Sequence, residues 1–285
     1  MRRGVLSCIR THHASFLFLL LSLLAAGCAV EFRQPPPRTA THGDTPSCSI
    51  AAYDEVVAKV MAEYCAAAYS CGSLEGCGNW SCNSCQLHSH AEAFRFSGGV
   101  NGTGVSGLVV HDSDINKIIL VFAGTQAGDL AAWANNLNGE LTGYTPCADA
   151  GCQVHTGFYA DYQALAPAFL EPLSYALARF PRASLWVTGH SLGGALAMLA
   201  VADLKGNHAV RIEALYTYGQ PRVGNQAFAM NFIGLTRRQD APTSYYRVVH
   251  AQDPIPHVPP ILLGFWHAPT EVFYNEEQTK YEVWK

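Results

Sequence analysis

The hydrophobic pattern changes character twice along the 285-residue chain. An apolar run from Ala14 to Ala26 comes first, and residues 31–47 then carry Pro and Thr with little to bury. From Ile50 to Tyr69 apolar residues recur at helical spacing, and beyond Cys85 short apolar runs alternate with longer helical patterns. The pattern predicts one folded domain behind an apolar leader and a linker.

The alternation in the second half of the chain predicts the fold class. Its strand-like runs are Gly107 to Val110, Ile118 to Ala123, Ser184 to Thr188, Ala214 to Tyr218 and Tyr246 to His250, and its helical stretches include Tyr159 to Phe180 and Leu192 to Leu204. Strand and helix in alternation are typical of an α/β protein. We expect a mainly parallel central sheet with helices on both faces.

The amino terminus has the layout of a secretory signal. Three arginines precede the 13-residue apolar run, and small residues around Cys28 follow it. A membrane-spanning helix needs about 20 apolar residues, so we expect no transmembrane segment here. The prediction is a signal peptide over residues 1–28, a Pro/Thr-rich tether over 29–47, a domain over 48–285, and secretion of the protein.

Composition excludes several classes of protein. Hydrophobic residues make up 49% of the chain and charged residues only 14%, against a usual charged share of about 25%. Such a chain is neither disordered nor a coiled coil. The net charge of -4, without any Lys/Arg run longer than a pair, also argues against nucleic acid as a partner.

Secretion changes how the cysteines are interpreted. An exported protein meets an oxidising compartment, where disulfides persist, so pairing is the expected state. A zinc site beside His88 and His90 is the alternative, although the spacings fit no regular pair of C-x2-C motifs. The cysteines left after the leader are Cys48, Cys65, Cys71, Cys77, Cys82, Cys85, Cys147 and Cys152.

The strongest chemical signal is G-x-S-x-G around Ser191. The strand-like SLWVT leads into Gly189 to Gly193, and a helical pattern follows directly. This context is typical of a nucleophile elbow, where the glycines leave room for neighbouring strand and helix. The serine then lies at a helix amino end, where backbone N–H groups and the helix dipole stabilise an oxyanion.

A serine nucleophile needs a histidine that a carboxylate orients. In this kind of fold the acid follows the serine in the chain. Asp253 comes three residues after the strand-like YYRVVH, which places it at the carboxyl edge of the sheet. Asp240 precedes that strand and Glu213 alternates outward within one, so Asp253 is the preferred candidate.

Long segments resemble the fungal-type secreted triacylglycerol lipases, the class 3 lipases of the α/β-hydrolase fold. They are CQVHTGF, VTGHSLGGALAMLAVADLKGN, YTYGQPRVGN, YYRVVHAQDPIPHVPP and GFWHAPTEVFY. The resemblance implies hydrolysis of acylglycerol esters through an acyl-serine, without metal or organic cofactor. It implies oxyanion donors at Thr125, in ILVFAGT, and at the Leu192 N–H. It also implies a local disulfide between Cys147 and Cys152.

The resemblance further implies a lid over residues near Trp133. Leu130, Trp133, Ala134 and Leu137 fall on one side of a helix. A lid of this kind would expose an acyl groove at a lipid–water interface, which makes lipid the expected partner of a monomeric protein. An ordinary helix packed on the core would show the same spacing.

The catalytic histidine has no clear place in this sequence. The family's histidine lies near the carboxyl end, beyond the position of Lys285, and so does the family's partner for Cys71. His267 is the candidate within the chain, yet only thirteen residues separate it from Asp253, few for a parallel return. We expect a carboxyl-truncated lipase; the alternatives are a variant that uses His267 or a protein that has lost catalysis.

Two rival functions therefore stay open beside glyceride hydrolysis. The same machinery could cleave phospholipids or phenolic esters such as feruloyl groups. A secreted lipase-like interaction protein without a general base would belong to another class altogether.

Overall fold

A computed structural model describes residues 52–71, 80–100, 104–125 and 139–285. The strands of its main sheet are β1 (Ala91–Gly98), β2 (Val105–Asp112), β3 (Lys117–Phe122), β6 (Ser184–His190), β7 (Ile212–Tyr218), β9 (Ser244–His250), β11 (Glu271–Tyr274) and β12 (Tyr281–Trp284). The helices are α1 (Glu55–Ser70), α2 (Asn83–Gln86), α3 (Thr156–Arg179), α4 (Leu192–Gly206) and α5 (Gln226–Thr236).

The eight strands are ordered β1-β2-β3-β6-β7-β9-β11-β12. The five strands from β3 to β11 pair in parallel, whereas β1, β2 and β12 pair antiparallel with their neighbours. This confirms the predicted class, a mainly parallel α/β sheet. The carboxyl ends of β3, β6, β7 and β9 therefore open on one edge of the sheet, where ligands bind in such folds.

Side-chain alternation along the strands builds two cores. In β3, Ile118, Leu120 and Phe122 pack with residues of α3, α4 and α5 in one cluster. Ile119 and Val121 point the other way and pack with α1. Successive side chains of a strand point to opposite faces of the sheet, and both faces are apolar here. Helices therefore cover both faces.

The main parallel strands agree with the sequence-based prediction, but the edges of the sheet do not. β1 and β11 have weak alternation and were not predicted, and β12 is exposed along its whole length. A small second sheet joins β4 (Leu141–Gly143), β5 (Gln153–His155), β8 (Gly224–Asn225) and β10 (Phe265–Trp266). Strands of two or three residues carry too little periodicity to be recognised in a sequence.

Among the described cysteines the structure confirms disulfide pairing for most, and it corrects the predictions for Cys71 and Cys65. Disulfides join Cys82 to Cys85 and Cys147 to Cys152. Cys71 also forms a disulfide, so its pairing does not depend on a partner after Lys285. Cys65 makes no disulfide: its sulfur is buried 3.3 Å from the Thr188 hydroxyl. Small and apolar, a buried cysteine can serve as core packing.

Several predictions concern residues outside the described ranges. The signal peptide, the tether and the helix of Leu130, Trp133, Ala134 and Leu137 all fall there. Among the helices that the structure does describe, none has the length and apolar character to cross a bilayer.

Candidate active site

Ser191 occupies a strained turn between β6 and α4. Its backbone has φ 56° and ψ -125°, a conformation that costs energy for a residue other than glycine. One long-range and one local hydrogen bond hold the turn: the Ser191 N–H donates to the carbonyl of Tyr218 at 2.9 Å, and the Ser191 carbonyl accepts from Gly194 N–H at 2.9 Å. The flanking glycines leave room for this turn, and the hydrogen bond to Tyr218 of β7 fixes its position.

Two glycines allow the close packing that this turn needs. A Cβ on Gly189 would collide with the Gly193 backbone, and a Cβ on Gly193 would collide with the Phe122 carbonyl at the end of β3. No larger residue fits at either position without moving backbone. The G-x-S-x-G pattern is thus explained by strand-to-helix contact, as the sequence predicted.

The side chain of Ser191 is buried, and its Oγ has no hydrogen-bond partner within the described part of the chain. Ser191 directly precedes α4, a helix of 15 residues, so the positive end of the helix dipole lies beside it. An unpaired buried hydroxyl is costly to stability, which is typical of a group retained for chemistry.

The two candidate oxyanion donors leave the sheet beside the serine. Leu192 is the first residue of α4, and Thr125 follows the end of β3 by three residues. Because Phe122 of β3 pairs with Gly189 of β6, Thr125 and Ser191 leave neighbouring strands at the same edge. Thr125 is half-buried.

Asp253 lies at the same edge, three residues after β9. The residue is buried, its Oδ1 accepts from Ile255 N–H at 2.9 Å, and its Oδ2 lies 2.7 Å from the position that a Cβ on Gly219 would take. Gly219 has φ +53°, so glycine is favoured there both by its backbone and by this carboxylate. Burial raises the pKa of Asp253 above its ordinary value, although the Ile255 N–H and His250 oppose the change.

His190 has a partner that no sequence motif indicates. Its Nδ1 lies 2.8 Å from the hydroxyl of Tyr69 at the end of α1. Its Nε2 lies 3.5 Å from the same Gly219 Cβ position that Asp253 approaches. Burial lowers the pKa of His190 from 6.5 to about 4, so this imidazole is neutral at pH 7. No sequence signal links residues 69 and 190.

His267 is fixed by the backbone rather than by the serine. Its Nε2 lies 2.7 Å from the carbonyl oxygen of Pro256, to which it donates. Burial, and then Arg247, lowers its pKa well below the ordinary value. Within the described residues no histidine hydrogen-bonds Ser191 Oγ.

The remaining candidates from the sequence have structural partners. Glu213 forms a salt bridge with Lys117 Nζ at 2.7 Å, and Asp240 forms one with Arg238 at 3.2 Å on an exposed loop.

The histidine candidates also have structural partners. His155 caps α3, accepting from the N–H groups of Gly157 and Phe158. His250 Nε2 lies 3.3 Å from the Glu276 carbonyl.

The fold is that of the α/β-hydrolases, and comparison with known proteins gives the family. Residues 119–263 match the family model for lipase (class 3). The match extends over half of the chain and includes Thr125, Ser191 and Asp253. The protein belongs to the class 3 lipases.

Curated relatives and solved structures agree with this assignment. The chain is 37% identical over 174 residues to secreted mono- and diacylglycerol lipase 1 of Fusarium solani, which covers 61% of this chain and 48% of that protein. It is 33% identical over 172 residues to a Rhizomucor miehei lipase, covering 59% and 45%. The chain thus matches about half the length of these relatives.

Among solved structures, lipase II from Rhizopus niveus superposes with a TM-score of 0.68 at 29% identity, covering 76% of this chain and 79% of that one. A triacylglycerol lipase whose catalytic centre is a serine protease triad superposes with a TM-score of 0.70 at 27% identity, covering 80% and 82%.

Proposed function

We propose that the protein is a secreted carboxylic ester hydrolase that cleaves acylglycerols through an acyl-serine on Ser191. The conformation of Ser191 carries this proposal: a strained, buried serine at the amino end of α4 with an unpartnered Oγ among the described residues. Family membership supports the reaction class. Relatives named as secreted mono- and diacylglycerol lipases support both secretion and the substrate.

In the proposed reaction Ser191 Oγ attacks the ester carbonyl carbon while an imidazole takes its proton. The backbone N–H of Leu192, with Thr125, would stabilise the oxyanion that forms. Collapse of this intermediate expels the alcohol, which takes the proton, and leaves the acyl group on the serine. Water then releases the acid by the same steps, so this mechanism itself requires no metal or organic cofactor.

Asp253 would orient the imidazole in this scheme. Its Oδ1 already accepts the Ile255 N–H, which leaves Oδ2 at the catalytic edge, against Gly219. Burial of this carboxylate strengthens its interaction with a cationic imidazole, because the local dielectric constant is low. Asp240 and Glu213 are each engaged with a basic residue elsewhere.

Covalent labelling tests the nucleophile directly. An alkyl phosphonate ester should label the parent protein at one serine, and Ser191→Ala should abolish the label while circular dichroism stays unchanged. Ser97→Ala, an exposed serine on β1, is the matched control and should label normally. Labelling that persists in Ser191→Ala would contradict the proposal.

Substrate class follows from a second measurement on the same proteins. We expect release of fatty acid from dioleoylglycerol and trioleoylglycerol to exceed hydrolysis of phosphatidylcholine or methyl ferulate. Preference for either of the latter would assign a phospholipase or a phenolic esterase. Binding to lipid with no hydrolysis of any ester would favour a lipase-like interaction protein.

A further inference from the structure

A cavity of about 550 Å³ lies between α3 and the carboxyl end of α4. The first turns of α3 contribute Tyr159 and Tyr162, and the last turns of α4 contribute Asp203. Asp203 follows Ser191 by twelve residues, a rise of about 18 Å along the helix. The cavity is therefore separate from the candidate active site, and its volume is that of a small-molecule site.

Aromatic rings form the floor and one wall of this cavity. The rings of Tyr144 and Tyr159 lie 5.4 Å apart at an angle of 66°. Tyr144 is 1% exposed and packs edge-on against Phe228 at 5.2 Å, whereas Tyr159 is half-buried. The Tyr144 hydroxyl is buried and has no hydrogen-bond partner among the described residues. Adjoining rings at a steep angle are typical of an aromatic cage, which attracts cations.

A carboxylate adds a full negative charge to the cavity. Among the described residues that line it, Asp203 carries the single formal charge. Asp203 Oδ2 accepts from the Tyr162 hydroxyl at 2.6 Å, and Oδ1 accepts from Asn207 Nδ2 at 2.6 Å. Burial, and then the charge of Asp203, raises the pKa of Tyr144 above its ordinary value, so the field of this carboxylate reaches the floor.

One basic side chain of the described chain contacts this carboxylate from outside the lining. His208 Nε2 lies 3.6 Å from Asp203 Oδ2, and the His208 side chain is 45% exposed. No Lys or Arg belongs to the described lining. The cavity therefore has a negative potential, which favours a cation and repels an anion.

The chemistry of the lining selects the kind of cation. A hard metal ion needs several oxygen ligands, whereas the described lining offers one carboxylate, and both of its oxygens already accept a protein donor. A quaternary ammonium group donates no conventional hydrogen bond and is attracted both by aromatic rings and by a nearby carboxylate. We propose that this cavity binds a small soluble quaternary ammonium compound such as choline, held between Tyr159 and Asp203 above Tyr144.

A matched pair of ligands tests the charge requirement on the parent protein. Choline should bind at least about tenfold more tightly than 3,3-dimethyl-1-butanol, its uncharged isostere, in calorimetric titrations. Glycerophosphocholine should bind more weakly than choline, because its phosphate brings a negative charge toward Asp203. Equal binding of choline and its isostere would overturn the proposal, as would tighter binding of methyl glucoside. Tighter binding of glycerophosphocholine would assign a phospholipid headgroup and overturn the soluble ligand.

Variants of the lining test the proposed contacts. Asp203→Asn should weaken choline binding about tenfold. Tyr159→Phe should bind choline as the parent does, whereas Tyr159→Leu should lose binding, because the ring and not its hydroxyl attracts the cation. Tyr175→Leu, at a 50% exposed tyrosine of the same helix, is the control and should bind normally. Unchanged binding in Asp203→Asn, or equal losses in Tyr159→Phe and Tyr159→Leu, would overturn the proposal.

Two further measurements separate binding from folding and from catalysis. Ester hydrolysis should be unchanged in Asp203→Asn and Tyr159→Phe, since the cavity lies far from Ser191. His208→Gln removes the basic side chain beside Asp203 and should bind choline at least as tightly as the parent; a loss of binding there would contradict the assigned charge. If Tyr159→Leu fails to fold, the comparison of choline with its isostere on the parent protein still decides. Neither comparison depends on whether Ser191 forms an acyl-enzyme.

Discussion

The Tyr69 hydroxyl lies 2.8 Å from His190 Nδ1, so the end of α1 contacts the residue next to the nucleophile. The same hydroxyl accepts a backbone hydrogen bond from Gly124, the neighbour of Thr125. One phenol therefore joins both sides of the proposed oxyanion site.

Tyr69→Phe should lower the turnover of a soluble short-chain ester by roughly tenfold, because a lost hydrogen bond costs on the order of 1 kcal/mol at a site that depends on placement. Tyr175→Phe, on an exposed tyrosine of α3, is the control and should be neutral. The measurement is kcat alongside the thermal midpoint. A loss explained entirely by unfolding would leave Tyr69 with a purely structural role.

Asp253→Asn should reduce ester turnover on the order of 10^4-fold, as removal of a triad carboxylate does elsewhere. The amide keeps the size of the side chain and can still accept from Ile255, so folding should be retained. Asp240→Asn removes the alternative acid, which pairs with Arg238 on the surface, and should keep full activity. More than about a tenth of the parent rate in Asp253→Asn would disprove the assignment.

Gly219→Ala should abolish most activity, and Gly151→Ala should not. Both glycines have positive φ, +53° and +73°, but a Cβ meets the Asp253 carboxylate at the first and nothing within 4 Å at the second. Both variants should lose about 1 kcal/mol of stability from the backbone. Urea unfolding measures the cost of backbone strain in each variant, and ester hydrolysis measures the effect of displacing Asp253. Equal activity in the two variants would show that catalysis does not depend on the position of the Asp253 carboxylate.

Stability should fall on mild acidification. Burial lowers the pKa of His267 well below 6.5, so the unfolded chain binds the proton first; this contribution is complete above about pH 6.5 and is lost as the pH falls toward the folded pKa. His267→Asn should flatten the dependence below about pH 6.5 by up to about 1.4 kcal/mol per pH unit. The measurement is a series of urea titrations of the parent protein and of His267→Asn across this pH range.

Trp133→Ala should weaken hydrolysis of emulsified long-chain triglyceride far more than hydrolysis of a dissolved short-chain ester. The reason is the predicted apolar side of a lid formed with Leu130, Ala134 and Leu137. Trp284→Ala, on exposed β12, is the control. Equal losses on both substrates would favour a core helix.

Sequence alone determined the parts of this protein that local backbone rules dictate. The turn at Ser191 needs glycine two residues before and two after it, between a strand and a helix, and all of this is contiguous in the chain. The central parallel strands could also be predicted from the sequence, because their apolar runs are long and helical patterns lie between them. Asp253 could be predicted for the same reason, because it follows a strand that the sequence pattern indicates.

Tertiary structure decided what depends on contacts between distant residues. It placed Tyr69 on His190, left Cys65 buried against Thr188 without a disulfide, and turned His267 toward the Pro256 carbonyl. It also set Gly219 against the Asp253 carboxylate. Periodicity records which side of an element is buried, whereas these pairs are created when separate elements pack, so no local pattern contains them.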